Sequence, residues 1–255
     1  MKIVYGPVAS WRLGKSLGLD VICRPEKICS FDCVYCQLEK TNKITSKREI
    51  FVPTDKIKKE LNSALKKTKP DVITLSGMGE PTLAKNIGEI IDYTRSITNI
   101  PIAILTNSSL FYDKEVQKSL CKLDIIVAKL DAPNEDLFNK INRPADGINF
   151  KQTLNRIQKV RNKFQGKFAL QIMFIKENKD YAQDMANLAR TIRPDEVQIN
   201  TPLRPCKVKP LDEETIEKIE KSFDCLPTIS VYKSPKPKTD PLDKVELIKR
   251  RRMEL

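Results

Sequence analysis

Cys29, Cys33 and Cys36 form C-x-x-x-C-x-x-C within the run CSFDCVYC, and this spacing is where chemistry starts in the chain. Three thiolates on one short loop can hold three corners of a 4Fe-4S cube and leave the fourth iron without a protein ligand, open to another molecule. A closed tetrahedral zinc site would need a fourth Cys or His nearby, and the 255 residues include no histidine. Seven cysteines could build a disulfide framework, but the odd count, the length and the intracellular character of the sequence argue against one. Of the other cysteines, Cys121 falls in a predicted helix and reads as a small buried hydrophobe. Cys23 lies just upstream of the trio and is a minor candidate for a fourth ligand, since Pro25 and charged neighbours separate it from the loop.

Apolar runs of strand length alternate with amphipathic stretches of helix length, the pattern of repeated β-α units around a parallel sheet. Strands are predicted over Leu19–Cys23, Asp71–Ser76, Pro101–Thr106, Ile125–Leu130, Ala169–Phe174 and Val197–Asn200. Helices are predicted over Thr54–Lys67, Ala84–Ile97, Asp113–Cys121, Glu135–Ile141, Lys151–Phe164, Tyr181–Ile192 and Asp212–Phe223, with Thr54 and Asp113 placed as N-caps. The unusual residues follow the strands. The cysteine trio follows the first, Gly77-Met78-Gly79-Glu80-Pro81 the second, Asn107-Ser108-Ser109 the third and Asp131-Ala132-Pro133 the fourth. Lys176-Glu177-Asn178 follows the fifth strand and Thr201-Pro202-Leu203-Arg204-Pro205 the sixth. In a parallel α/β barrel all six loops converge on the rim where such barrels place their active sites.

The cysteine loop, with Tyr35 before its last cysteine, resembles the radical S-adenosylmethionine (SAM) superfamily. The resemblance implies an α/β fold, a partial parallel (β/α)6 barrel over residues 1–205 with a C-terminal α/β extension over residues 206–255. It implies a 4Fe-4S cluster on Cys29, Cys33 and Cys36, and SAM bound at the open iron. An electron then cleaves the sulfonium to methionine and a 5'-deoxyadenosyl radical, which abstracts hydrogen from a substrate. Tyr35 is similar to the residue that flanks the adenine. Gly77, Met78, Gly79 and Glu80 stand where the superfamily receives the SAM amino group, with Met78 a departure between the two glycines. Thr106, Asn107 and Ser108 suit the ribose hydroxyls and the carboxylate. Lys129 and Asp131 share a face by strand alternation, so that Lys129 meets the SAM carboxylate or a carbonyl substrate, or pairs with Asp131.

The blocks GPVASWRLGKSLGLD, GMGEPTL, LTNSSL, KLDAPNEDLFNKINRP and VQINTPLRPC are similar to the group that contains the wyosine-forming tRNA enzyme. The likeness implies modification of a tRNA base and an external low-potential electron donor such as ferredoxin or flavodoxin. The extra cysteines that serve a second cluster in that enzyme have only Cys23 as a counterpart here, with Cys206 and Cys225 the remaining thiols to recruit. Arg143 in INRP and Arg204 in LRPC are rim guanidiniums suited to a carboxylate or phosphate. Asn178 and Asn200 are weaker candidates, and Trp11 beside Arg12 reads as a hydrophobic plug at the closed end of the barrel. A maturase acting on a partner protein or a small metabolite is the alternative within enzymes, and an iron-sulfur redox protein the alternative outside them.

A net charge of +13, from 46 Lys and Arg against 33 Asp and Glu, points to a polyanionic partner, with nucleic acid the natural one. The basic run Lys249-Arg250-Arg251-Arg252 can touch phosphate or simply suit a helix C-terminus. No stretch approaches bilayer length and the N-terminus lacks an apolar core, so a cytoplasmic monomer without membrane contact is expected.

Overall fold

The computed structural model describes residues 1–38 and 40–251. The chain opens with an antiparallel hairpin, β1 (Val4–Ser10) and β2 (Gly14–Leu19), followed by a short pair, β3 (Ile28–Cys29) and β4 (Lys43–Ile44). Helices and strands then alternate through α1 (Thr54–Leu65), β5 (Val72–Leu75), α2 (Ile87–Ile97), β6 (Ile102–Thr106), α3 (Lys114–Leu120) and β7 (Ile125–Lys129). After α4 (Glu135–Asn142) and α5 (Phe150–Lys163) come β8 (Lys167–Met173), α6 (Ala182–Ile192), β9 (Glu196–Asn200), α7 (Glu213–Lys221), β10 (Thr228–Ser230) and α8 (Lys244–Arg251).

The sheet order is β1-β2-β5-β6-β7-β8-β9-β10, parallel throughout except at the hairpin. It is the curled half-barrel expected of a partial parallel barrel. Strands β5 and β6 read as near-continuous apolar runs because helices cover one face and the barrel interior the other. The register pairs Leu19 with Leu75, Thr106 with Ala128, Lys129 with Gln171 and Met173 with Asn200. The strand ends are therefore level, and the polar segments after them meet at one mouth. Short polar side chains start the outer helices, with Asp113, Asn134, Asn149 and Asp212 each accepting backbone N–H groups of the first turn.

Three expectations are corrected. The first parallel strand is Gly14–Leu19 and not Leu19–Cys23, because Asp20 Oδ1 accepts the N–H groups of Ile22 at 3.1 Å and Cys23 at 2.8 Å and turns the chain at the mouth. Val21 and Ile22 are buried all the same, which is why the run reads as strand. Thr54 is the first helical residue rather than the N-cap, and its hydroxyl donates to Glu89 Oε2 at 2.8 Å. Cys121 is exposed at the end of α3 rather than buried. Among the described residues no helix is long and apolar enough to cross a membrane.

Candidate active site

The cysteine loop is built onto the end of α4. Helix C-termini leave carbonyls without intrahelical partners, and here Asp32 N–H reaches the carbonyls of Asn142 and Arg143 while Val34 N–H reaches that of Ile141 at 2.9 Å. Arg143 makes this possible by closing the helix in the left-handed region, at φ 45°. Asn107 Nδ2 donates to Cys29 Sγ at 3.6 Å, and Asn142 Nδ2 to Cys33 Sγ at 3.5 Å. Lys27 is 3% exposed. Burial works against its ammonium, yet the charges of Cys36, Cys29 and Cys33 hold its pKa above the usual lysine value. As free thiols Cys29 and Cys33 resist ionisation: burial pushes Cys29 up, and burial with Asp131 and Cys36 pushes Cys33 up to about 11.

These residues fit a 4Fe-4S cluster. All three thiols line one cavity, the sulfurs of Cys29 and Cys33 receive amide donors, and a buried cation offsets thiolate charge. Among the described residues no three His, Cys, Asp or Glu side chains stand close enough to share a single ion, whereas a cube spreads its thiolates over different irons.

The loop after β5 lies against β3. Ile28 N–H donates to Met78 O at 3.1 Å and Glu80 N–H to Ile28 O at 3.2 Å, leaving the carbonyls of Gly77 and Gly79 without an intramolecular donor among the described residues. Gly79, at φ 148°, has no room for a side chain, since a Cβ would lie 1.6 Å from Ile28 O. Gly79→Ala is therefore expected to push this loop off the cysteine loop, at a cost of roughly 1–3 kcal/mol from overpacking. Equilibrium dialysis with SAM and a thermal melt check this, and affinity within twofold of the parent would contradict the placement.

Glu80 is 2% exposed. Its Oε1 accepts from Thr82 N, Thr82 Oγ1 and Thr106 Oγ1, and its Oε2 only from Asn107 N at 2.7 Å. Burial raises its pKa against these donors, and Oε2 keeps the capacity to meet an ammonium. Thr106 and Asn107 line the cavity. Ser108, expected beside them, lies outside the lining and is fully buried with its Oγ unpartnered.

At the end of β7 the expected shared face is found, but only Lys129 reaches the cavity. Asp131, expected among the catalytic and cofactor-binding residues, is 2% exposed behind it. It pairs with Lys129 Nζ at 3.4 Å and accepts from Tyr35 Oη, from Asn142 Nδ2 at 3.0 Å and from Met173 N at 2.9 Å. Through Tyr35 and Asn142 it ties the end of β7 to the cysteine loop and to the end of α4. Tyr35 lines the cavity, with Lys129 Nζ 4.9 Å from its ring centroid. Arg143, also expected to be catalytic, is exposed outside the cavity lining, and its contribution is the helix end described above. Asn178 is fully buried and bonded to Asp131 O, Met173 O and Ile175 N, whereas Asn200 lines the cavity.

The cavity holds about 580 Å³. Trp11 and Arg12 line it from the β1–β2 turn at the start of β2, which is the end away from the mouth and the end at which the sequence placed Trp11. Two residues to which the sequence assigned no place at the mouth also shape it. Asp20 Oδ1 accepts Met78 N–H at 3.3 Å, and Arg250 of α8 pairs with Asp20 Oδ2 at 2.7 Å, 230 residues away in sequence. Arg250 thus faces inward and is not a free phosphate contact; Arg252 lies outside the described residues. Cys23 and Cys206 are outside the lining and Cys225 is exposed.

A cysteine loop, a glycine-rich loop and a cavity at the mouth of a half-barrel define an iron-sulfur, SAM-dependent class of protein. Residues 25–189 match the family model described as the Radical SAM superfamily, and the chain belongs to that superfamily of enzymes, which use a 4Fe-4S cluster and SAM. It is 43% identical over 212 residues to the UPF0026 protein slr1464 of Synechocystis sp., covering 83% of this chain and 78% of that protein. A Brachyspira hyodysenteriae protein named GTPase Obg is 38% identical over 237 residues, and this chain, 90% covered, spans only 35% of its length. Among solved structures, Streptococcus suis SuiB bound to S-adenosylmethionine superposes with a TM-score of 0.64 at 15% identity, covering 84% of this chain and 50% of SuiB. Archaeal TYW1 superposes with a TM-score of 0.54 at 15% identity, covering 82% and 71%.

Proposed function

We propose that this protein is a radical SAM enzyme that modifies a base of tRNA. When bound, the cluster and SAM supply reductive cleavage of the sulfonium and hydrogen abstraction from the substrate. The chain's own residues hold and shield these groups. Cys29, Cys33 and Cys36 supply the thiolates, Asn107, Asn142 and Lys27 donate toward them, and Gly77 to Glu80 with Thr106 and Asn107 receive SAM. Tyr35 and Lys129 form one wall, and Asp131 fixes both. Electrons come from an external low-potential carrier of the ferredoxin or flavodoxin type.

The observation that carries the RNA reading is charge. Arg12, Lys27, Lys129, Arg204, Lys236 and Arg250 line the cavity beside Glu80, with Lys129 and Arg250 paired to Asp131 and Asp20 behind it and Lys27 turned to the cysteines, so that Arg12, Arg204 and Lys236 carry the positive potential toward a ligand, in a chain of net charge +13. A polyanion bound through such cations releases counterions, so its affinity falls steeply with salt, whereas turnover of a small neutral metabolite barely responds. Nucleosides of tRNA from cells with and without the gene are compared by mass spectrometry. One modified nucleoside is expected to disappear with the gene, and an unchanged tRNA profile would remove the RNA assignment.

A further inference from the structure

We propose that Arg12, on the β1–β2 turn, anchors a binding subsite for an organic anion, a carboxylate or phosphate carried by a substrate, inside the cavity. The subsite rests on reading the cavity as that of a radical SAM enzyme, but not on the RNA assignment. Arg12 lines the cavity, and its Nε is shut off from solvent with no hydrogen-bond partner. No carboxylate stands within ion-pair distance of it among the described residues. Glu196 is near enough to act on it, but Glu196 Oε2 pairs with Lys167 Nζ at 2.7 Å and its Oε1 accepts from Gln198 Nε2 at 2.8 Å.

Arg204, which also lines the cavity, donates through Nε to Gln37 Oε1. Burial, with the charge of Arg204 added, pushes Arg12 down to about 10. Trp11 gives Arg12 an aromatic neighbour, its ring centroid 5.4 Å from the guanidinium carbon, without neutralising it. Arg12 is half-buried, and a guanidinium whose Nε has neither water nor a partner is unfavourable, while its planar fork matches the two oxygens of a carboxylate or phosphate. An anion held by Arg12 would give the partnerless Nε an acceptor and the guanidinium a counter-charge. The carboxylate of SAM is the other source of the same chemistry, so the test must separate the two.

Trp11 is the only tryptophan in the chain and reports on its neighbour. The anaerobically loaded protein is titrated with sodium phosphate and, separately, sodium acetate at constant ionic strength, following Trp11 emission and heat of binding, with sodium chloride as control. A saturable response to at least one oxyanion is expected, weakened at least tenfold in Arg12→Gln and less in Arg12→Lys, which keeps the charge and loses the fork. SAM affinity of Arg12→Gln should stay within twofold of the parent, and its melting temperature should not fall, since an unpaired charge is removed. A response no different from chloride, or an unchanged one in Arg12→Gln, would overturn the subsite. A tenfold loss of SAM affinity would assign Arg12 to SAM instead, and a lowered melting temperature would make it a structural residue. SAM cleavage by the same preparation is scored separately, so failure of the enzyme reading is distinguishable from failure of the subsite.

Discussion

Cys33→Ala is expected to reduce release of 5'-deoxyadenosine from SAM to the level of a protein-free control. The variant leaves two thiols on the loop, too few to hold a cube at three corners, and strips Asn142 Nδ2 of its sulfur acceptor. The fold should survive, because the loop is held by backbone bonds to the end of α4 and by Asp32 Oδ1, which accepts Thr41 N–H at 2.6 Å. Iron and sulfide content after anaerobic reconstitution, the absorbance of the cluster and a thermal melt separate lost cluster from lost fold. A variant that keeps a full cluster and cleaves SAM would remove Cys33 from the ligand set.

Asp20→Ala is expected to have the largest effect on stability. Asp20 and Arg250 are 1% and 6% exposed in their side chains and 2.7 Å apart, and breaking such a buried pair from one side costs roughly 3–5 kcal/mol. Glu246, 2.8 Å from Arg250, keeps part of the guanidinium paired, so the lower end applies. SAM affinity should fall as well, because Asp20 Oδ1 holds Met78 N–H and the turn through Ile22 and Cys23. The double variant Asp20→Ala/Arg250→Ala should regain roughly 1–2 kcal/mol, within the coupling of contacting residues, without regaining SAM affinity. Chemical denaturation and equilibrium dialysis measure the two losses. Strictly additive stabilities would show that the pair does not couple.

The central strands were legible because burial on both faces leaves no polar residue to interrupt the apolar run, as in Ile102–Thr106. The loops at the mouth were legible because their unusual residues follow those strands directly. The first strand was misjudged because Val21 and Ile22 are as apolar as a strand, while the turn is set by Asp20 binding its own neighbours' amides. Strand alternation placed Lys129 and Asp131 on one face, and they do pair, but alternation does not say how deep a side chain lies. Asp131 therefore turned out to stand behind Tyr35 and Lys129 rather than in the cavity. Arg143 read as a rim cation, although its place follows from the left-handed end of α4. Arg250 could not be read at all, since charge in a basic helix says nothing of a partner 230 residues earlier.

The most direct test of the open iron is electron paramagnetic resonance of the reduced, fully loaded protein before and after SAM is added. The account predicts a spectrum that shifts on SAM addition, followed by release of 5'-deoxyadenosine and methionine in the same tube. A complete cluster whose spectrum ignores SAM and whose solution yields neither product would contradict it.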